Sequence, residues 1–377
     1  MGKNNWRQII TFMGAVLAYM MGSGFATGQE LLQYYVSYGY QGILVGITLA
    51  AILIFANWGF AKTGHQEGFN KGSEIFNYYC GDKTGKIFDW FTTLFCFMSF
   101  IVMLAGAGST LEQQYRLPLI IGVIAMAIFA ALTVSCGLNS LVEIIGKVGP
   151  ILAICVLLLG IITLICHGVN IESNIPRIDS GELPLLKASS NWFLAGISNG
   201  GMSLLILAGF MAKLGSTTTP LRPLMTGQTL GILLYAAISV LIGFALISQV
   251  DFIAGAQIPN LLLANDISPL LGYLFGLVIF AAIYTTACPL LWTTASRIAE
   301  EGSVTFKLVT CILAIVGVIL AISVPFDILI NYIYVLNGYG GAIFLIFMIL
   351  KEIRVALYHL IIKALGKRYT PPPKHKG

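Results

Sequence analysis

Continuous apolar runs, not alternating ones, set the pattern of this chain. Runs of about 20 residues, each long enough to cross a bilayer's hydrocarbon core as a helix, recur at roughly 8–36, 41–61, 87–112, 117–136, 140–166, 190–213, 223–248, 267–298, 304–323 and 327–350. Barrel strands would instead alternate over ~10 residues. Lipid admits only helices or closed barrels as spanning structures, because every backbone polar group must be satisfied internally. The pattern therefore predicts an all-α integral membrane protein with ten transmembrane helices. Connections are short, and only 62–86, 167–189 and 249–266 are long enough to hold structure of their own.

Two runs carry polar interruptions. The first contains GSGFATGQE (22–30), which brings three glycines, Ser23, Thr27, Gln29 and Glu30 to mid-run. Glycine inside a helix costs ~1 kcal/mol relative to alanine, so the stretch suggests local unwinding. The rival is a close helix contact, since Gly24 and Gly28 have GxxxG spacing. The sixth run breaks the tie with Ser198, Asn199, Gly200, Gly201 and Ser203 at the same relative place. With five spans per half, the halves must enter the membrane in opposite directions. Interrupted helices at matching places in inverted halves point to a transporter's central site. The expectation is a 5+5 inverted repeat with helices 1 and 6 unwound at mid-membrane. It divides the chain into a first repeat (1–166), a connection on the outer face (167–189), a second repeat (190–350) and a C-terminal segment (351–377).

Composition agrees with the pattern. The 377 residues are 57% hydrophobic and only 10% charged, where soluble chains average ~25% charged; mean hydropathy is +0.87. The net charge of +5 is no nucleic-acid signal. All but Arg116, Arg177 and Lys187 of the 21 Lys and Arg fall on one side of the ten-span scheme. The positive-inside rule then places both termini in the cytoplasm and the protein in the cell membrane. Most of the seven cysteines lie within apolar runs without ligand spacing and read as core. Beyond the last span, KEIRVALYHLIIKALGKRY (351–369) puts Ile353, Leu357, Leu360, Ile361 and Ala364 on one face. It reads as an amphipathic helix lying on the anionic inner leaflet, followed by a disordered PPPKHKG tail.

MGSGFATGQE (21–30) resembles the opening motif of the YkvI-like bacterial membrane proteins, a group near the amino acid–polyamine–organocation (APC) superfamily. The ten-span layout is similar to the LeuT fold over essentially the whole chain. The resemblance implies that backbone N–H groups of Gly22, Ser23 and Gly24, with Phe25 beside them, hold a substrate carboxylate. It implies that Ser198, Asn199, Gly200 and Gly201 line the other side. Sodium-coupled members of the fold would hold Na+ between helix-one carbonyls, here Ala18 and Met21, and a hydroxyl pair on helix eight, here Thr285 and Thr286. The competing reading of the pair is a helical Thr bonding its own i−4 carbonyl. No cofactor other than a coupling ion is implied.

Ionisable residues at membrane depth invite functional readings because burial there is expensive. Some proton-coupled relatives carry a lysine on helix five, as Lys147 stands here; alternatively Lys147 snorkels or pairs with Glu143. Glu30 could meet a cationic substrate, take a proton or line a vestibule. Asp89 reads as a first-turn acid, and Asn337 either as a bend in span ten or as a bond to a neighbouring helix. Trp292, Tyr284 and Met103 are candidate pocket walls. No metal motif or acid–base pair suggests an enzyme, and His65, His167, His359 and His375 fall in expected loops or the tail. The resulting expectation is a secondary transporter moving a small polar organic solute, an amino acid or related amine, by alternating access coupled to Na+ or H+. A receptor that binds without net flux is the second class. Substrate identity and oligomeric state are not legible.

Overall fold

The structure, a computed structural model, describes residues 3–69, 71–135 and 138–364, with side chains at 5–17, 19–69, 71–135 and 153–358. The described residues are helical and linked by short turns. Span one is α1 (Lys3–Met20), α2 (Ser23–Thr27) and α3 (Gln29–Tyr34). A 3-10 turn at Val36–Gln41 leads into α4 (Gly42–Glu67). Then come α5 (Glu74–Tyr115), α6 (Leu119–Ser135) and α7 (Leu138–His167). A short α8 (Ile171–Asp179) precedes α9 (Trp192–Thr217) and α10 (Leu221–Ser248). The small α11 (Val250–Ile253) and α12 (Pro259–Ile267) lead to α13 (Pro269–Ile298), α14 (Val304–Ala321) and α15 (Phe326–Ala364). Eight described segments are long and apolar enough to cross a membrane, and Leu119–Ser135 is a shorter apolar helix. With the broken first span these fit the ten expected, and the protein is a multi-pass membrane protein.

Glycine contacts show how the helices run. Gly196 abuts Thr48, Gly200 abuts Ile52 and Gly64 abuts the Ala212 carbonyl, so α4 and α9 run parallel. Gly227 meets Ile9 and Gly231 meets Met13, so α1 and α10 are parallel too. By contrast Gly46 meets Val240 while Trp58 donates to Thr229, which makes α4 and α10 antiparallel. Spans one and six therefore cross in opposite directions, as an inverted repeat requires. These four helices form one bundle, and α5, α6, α13 and α14 pack together beside it.

Four expectations need correction. The sixth span is not unwound: α9 is continuous from Trp192 to Thr217. Its glycines serve close packing, since a Cβ on Gly201 would lie 2.1 Å from the Gly338 carbonyl oxygen. The C-terminal segment does not turn onto the membrane surface at Lys351, because α15 continues without a break to Ala364. Lys351 lies over the Tyr78 ring, 3.6 Å from its centroid, and Glu352 accepts from Tyr79, which ties the extension to the start of α5. The residues after Ala364, including the PPPKHKG tail, lie outside the described residues. The 62–86 connection, long enough to hold structure of its own, is mostly helix among the described residues, with a turn at Gly81 (φ 75°) inside α5. Asp89 is thus no first-turn acid; it pairs with Arg297 of α13. Asn337 does not bend α15 but donates to the Ile333 carbonyl of its own helix.

Candidate functional site

The first span is interrupted twice. At Met21–Gly22 the helical ladder stops, and Gly22 takes an extended conformation (φ −78°, ψ −169°) before the single turn of α2. Ser23, Gly24 and Phe25 have no backbone acceptor for their N–H groups among the described residues, and the Met21 carbonyl has no backbone donor. The second interruption is Gly28, in the left-handed region at φ 85°. Two causes demand glycine there: L side chains rarely adopt this conformation, and a Cβ would lie 2.5 Å from Asn260 Oδ1. Asn260, near the start of α12, donates to the Phe25 and Ala26 carbonyls at 3.2 and 3.1 Å. It supplies the partners that a broken helix end lacks.

Beyond Gly28 the chain turns Glu30 back toward the break. A Cβ on Gly24 would sit 2.9 Å from Glu30 Oε2 and 2.9 Å from the Tyr334 ring, so only glycine admits both neighbours. Glu30 is 3% exposed and accepts from the Tyr235 hydroxyl at 3.2 Å. Tyr34, Tyr35 and Tyr334 also stand within electrostatic reach of its carboxylate. Tyr34 and Ser198 share a hydrogen bond at 3.2 Å, and Asn199 Nδ2 donates to Tyr35 at 3.5 Å. Phe25 packs on Tyr235 with ring centroids 5.3 Å apart. Tyr334 approaches Ser23 and the Gly24 backbone without giving the Ser23 hydroxyl a bond of full geometry. Ser23 Oγ, Asn199 Oδ1, Gln29 Oε1 and Asn260 Oδ1 are buried with no partner. Buried polar atoms are almost always paired, so several at one broken helix mark a place built to receive something else.

The candidate residues divide. Gly22, Ser23, Gly24, Phe25 and Glu30 come together, and Ser198 and Asn199 reach the same cluster through Tyr34 and Tyr35. Gly200 and Gly201 face α4 and α15 instead. Thr286 lies beside the break, its methyl 3.8 Å from where a Gly22 Cβ would be. Both hydroxyls of the pair bond their own helix: Thr285 and Thr286 each donate to the Ala282 carbonyl, at 2.8 and 3.2 Å. Lys147 and the Ala18 side chain lie outside the described side chains. Of the candidate walls, Trp292 is half-buried with an unpartnered Nε1 and Met103 is fully buried. Among the described residues no group of three or more His, Cys, Asp or Glu could hold a metal.

The site is closed toward the face opposite the N-terminus. Gln33 donates to the Asp327 carbonyl at 2.9 Å and accepts from Asn331 at 2.9 Å; Gln257 donates to the Asp327 carboxylate at 2.8 Å. Gln113 exchanges two bonds with the Ile258 backbone. Every residue from Ser23 to Gly39 is buried, whereas Tyr19, on the other side of the break and stacked on Phe210, is 42% exposed.

Sequence reasoning missed Tyr34, Tyr35, Tyr235, Tyr334 and Asn260. Tyr34 stands four residues after Glu30, one helical turn on the same face, and could have been found. Tyr235, Asn260 and Tyr334 come from distant elements, and their proximity has no local signature.

No family model matches the chain. Two curated relatives from Bacillus subtilis (strain 168) align over nearly full length. YyaD, an uncharacterised protein, is 22% identical over 92% of this chain and 98% of its own. YkvI, an uncharacterised membrane protein, is 21% identical over 88% and 93%. Among solved structures, MhsT in complex with L-phenylalanine superposes with a TM-score of 0.64 at 15% identity, covering 89% of this chain and 87% of MhsT. A manganese transporter of Eremococcus coleocola gives 0.58 at 13% identity, covering 92% and 78%. Mhp1, a nucleobase-cation-symport-1 family transporter with bromovinylhydantoin bound, gives 0.56 at 13%, covering 82% and 70%. The likeness to YkvI expected from residues 21–30 is thus borne out along the chain, and the protein has the LeuT-type transporter fold.

Proposed function

We propose that the protein is a secondary transporter that carries a small polar organic solute, an amino acid or related amine, by alternating access coupled to Na+ or H+. The observation that carries this reading is the double interruption of the first span. It leaves the backbone N–H groups of Ser23 and Gly24 without a backbone acceptor among the described residues, beside the buried carboxylate of Glu30. Irregular backbone at membrane depth is tolerated where it lines a cavity or a ligand takes up its polar groups. A zwitterion suits both ends: its carboxylate meets the Ser23–Gly24 backbone with Phe25 alongside, and its amine meets Glu30.

Alternating access needs one face shut while the other opens. The amide seal of Gln33, Gln257 and Asn331 closes the opposite face here, and its bonds join α3 and the α11–α12 connection to α15. For the coupling ion two groups compete. Thr285 and Thr286 with the Met21 and Ala18 carbonyls would suit Na+, and Glu30 or Lys147 would suit H+. The protein resides in the cell membrane with both termini cytoplasmic, so the sealed face is the outer one. Flux of amino acids and amines into liposomes containing the purified chain tests the reading. Uptake that follows an imposed Na+ or H+ gradient supports it, and saturable binding without flux overturns it.

A further inference from the structure

We propose that Glu30 is a single site used in turn by a substrate ammonium group and by a proton, so that binding one expels the other. The inference rests on the transport reading for its setting but concerns the chemistry of the cargo. Glu30 is buried at membrane depth, where an unpaired carboxylate is costly. From its own span Tyr34 and Tyr35 face it, from α10 Tyr235, and from α15 Tyr334; among the described residues no Lys, Arg or His does. Tyrosine hydroxyls can donate but bring no positive charge. Among the described residues the carboxyl therefore has no cationic partner, and it is either neutral or matched by a cation from elsewhere.

The surroundings suit an organic cation. Aromatic faces attract ammonium groups through their quadrupole, most strongly where water is excluded, and Phe25 with four tyrosines clusters around one carboxylate. Glu30 Oε1 accepts from Tyr235 at 3.2 Å, while Oε2 lies against Gly24, where the absence of a Cβ lets the carboxylate reach the backbone of the break. The unpartnered Ser23 Oγ and Asn199 Oδ1, both fully buried, add acceptors for ammonium N–H groups. The carboxylic O–H gives its proton to water as the ammonium arrives. The ammonium N–H groups then donate to the carboxylate, and no other bond changes.

The test uses the purified full-length chain with methylammonium, tetramethylammonium, glycine and acetate as probes, by thermal shift and titration calorimetry between about pH 6 and about pH 8. The expected result is binding of methylammonium or glycine, not acetate. Apparent affinity should rise about tenfold per pH unit while the carboxyl is protonated, with one proton released per ligand bound. Glu30→Gln, checked for monodisperse elution, should lose at least tenfold in affinity and all pH dependence; Glu30→Asp should keep proton release. Failure of both methylammonium and glycine to bind the wild type at the upper pH overturns the proposal, as does pH-dependent binding that persists in Glu30→Gln. Transport that survives in Glu30→Gln overturns this inference and leaves the transport reading intact. Proton-releasing binding without flux overturns the transport reading and supports the ammonium site.

Discussion

Residues 21–30 and 198–201 have similar compositions and opposite fates. Both place glycine and serine at the middle of an apolar span, yet the first is broken at Gly22 and Gly28 and the second is continuous helix. The difference lies in what stands opposite. Gly200 and Gly201 face Ile52 and the Gly338 backbone, and their missing side chains let α4, α9 and α15 approach. Close backbone approach rewards a regular helix, since regular surfaces nest along their length. Around the first span the partners are polar side chains, Asn260, Glu30 and Tyr334, which take up or crowd groups that a straight helix would hide. Glycine in a membrane helix thus permits either outcome, and distant residues choose.

The contrast is sharpest in substitutions that add one methyl group. Gly201→Ala should have the largest effect, because the new carbon would fall 2.1 Å from a backbone carbonyl that cannot move without shifting a helix. Overpacking of well-packed cores costs about 1–3 kcal/mol and more where backbone must shift, so a cost of about 3 kcal/mol is expected. A drop of several degrees in melting temperature would show it; unchanged stability would mean that α9 and α15 are not in close contact. Gly28→Ala should cost about 2 kcal/mol, from the left-handed backbone and the Asn260 contact together. Asn260→Ala takes the side-chain donor from the Ala26 carbonyl and leaves the Phe25 carbonyl only its bond from the Gly28 N–H, and should cost about 1–2 kcal/mol. It should also release the part of the span beyond the first break, read as increased amide hydrogen exchange in residues 23–34.

Gly22→Ala reverses the pattern. Its φ of −78° is ordinary, and the added carbon would meet only the Thr286 methyl at 3.8 Å. Stability should change by less than about 1 kcal/mol, while solute binding at the break weakens more than stability does. Equal loss of binding in Gly22→Ala and in an equally destabilised variant elsewhere would make the break a packing feature.

These contacts also explain what the sequence could convey. Apolar run length is local, so the spans, the helical class and the inversion were legible from residues 8–350. Helix ends were less so: α4 runs on to Glu67 and α15 to Ala364 because their polar extensions pack against neighbours, Lys351 on Tyr78 among them. In the site, GSGFATGQE announced a break because its polar density is high within ten residues. The same signal misled at SNGG, where GxxxG-type packing, weighed only for the first span, was the operative cause. The tyrosine cluster around Glu30 joins residues up to 304 positions apart, and no spacing rule reaches that far.

The smallest effect expected is also the one that separates the two coupling chemistries. Thr286→Val removes a hydroxyl that donates to the Ala282 carbonyl at 3.2 Å, a bond made within one helix. The carbonyl keeps its helical role, and Thr and Val are close in shape, so stability in potassium chloride should change by less than about 1 kcal/mol. In sodium chloride the outcome depends on the ion. If Na+ sits between Thr285, Thr286 and the Met21 carbonyl, the wild type gains about 2.7 kcal/mol at a hundredfold excess over its dissociation constant, and Thr286→Val loses that gain while Glu30→Gln keeps it. If sodium and potassium stabilise the wild type alike, the Thr pair is ordinary helix and the coupling falls to protonatable groups. The Met21 carbonyl, which has no backbone donor among the described residues and stands one residue from Gly22 and its Thr286 contact, is the feature that keeps the sodium reading in play, because a straight helix would have bonded it within its own ladder.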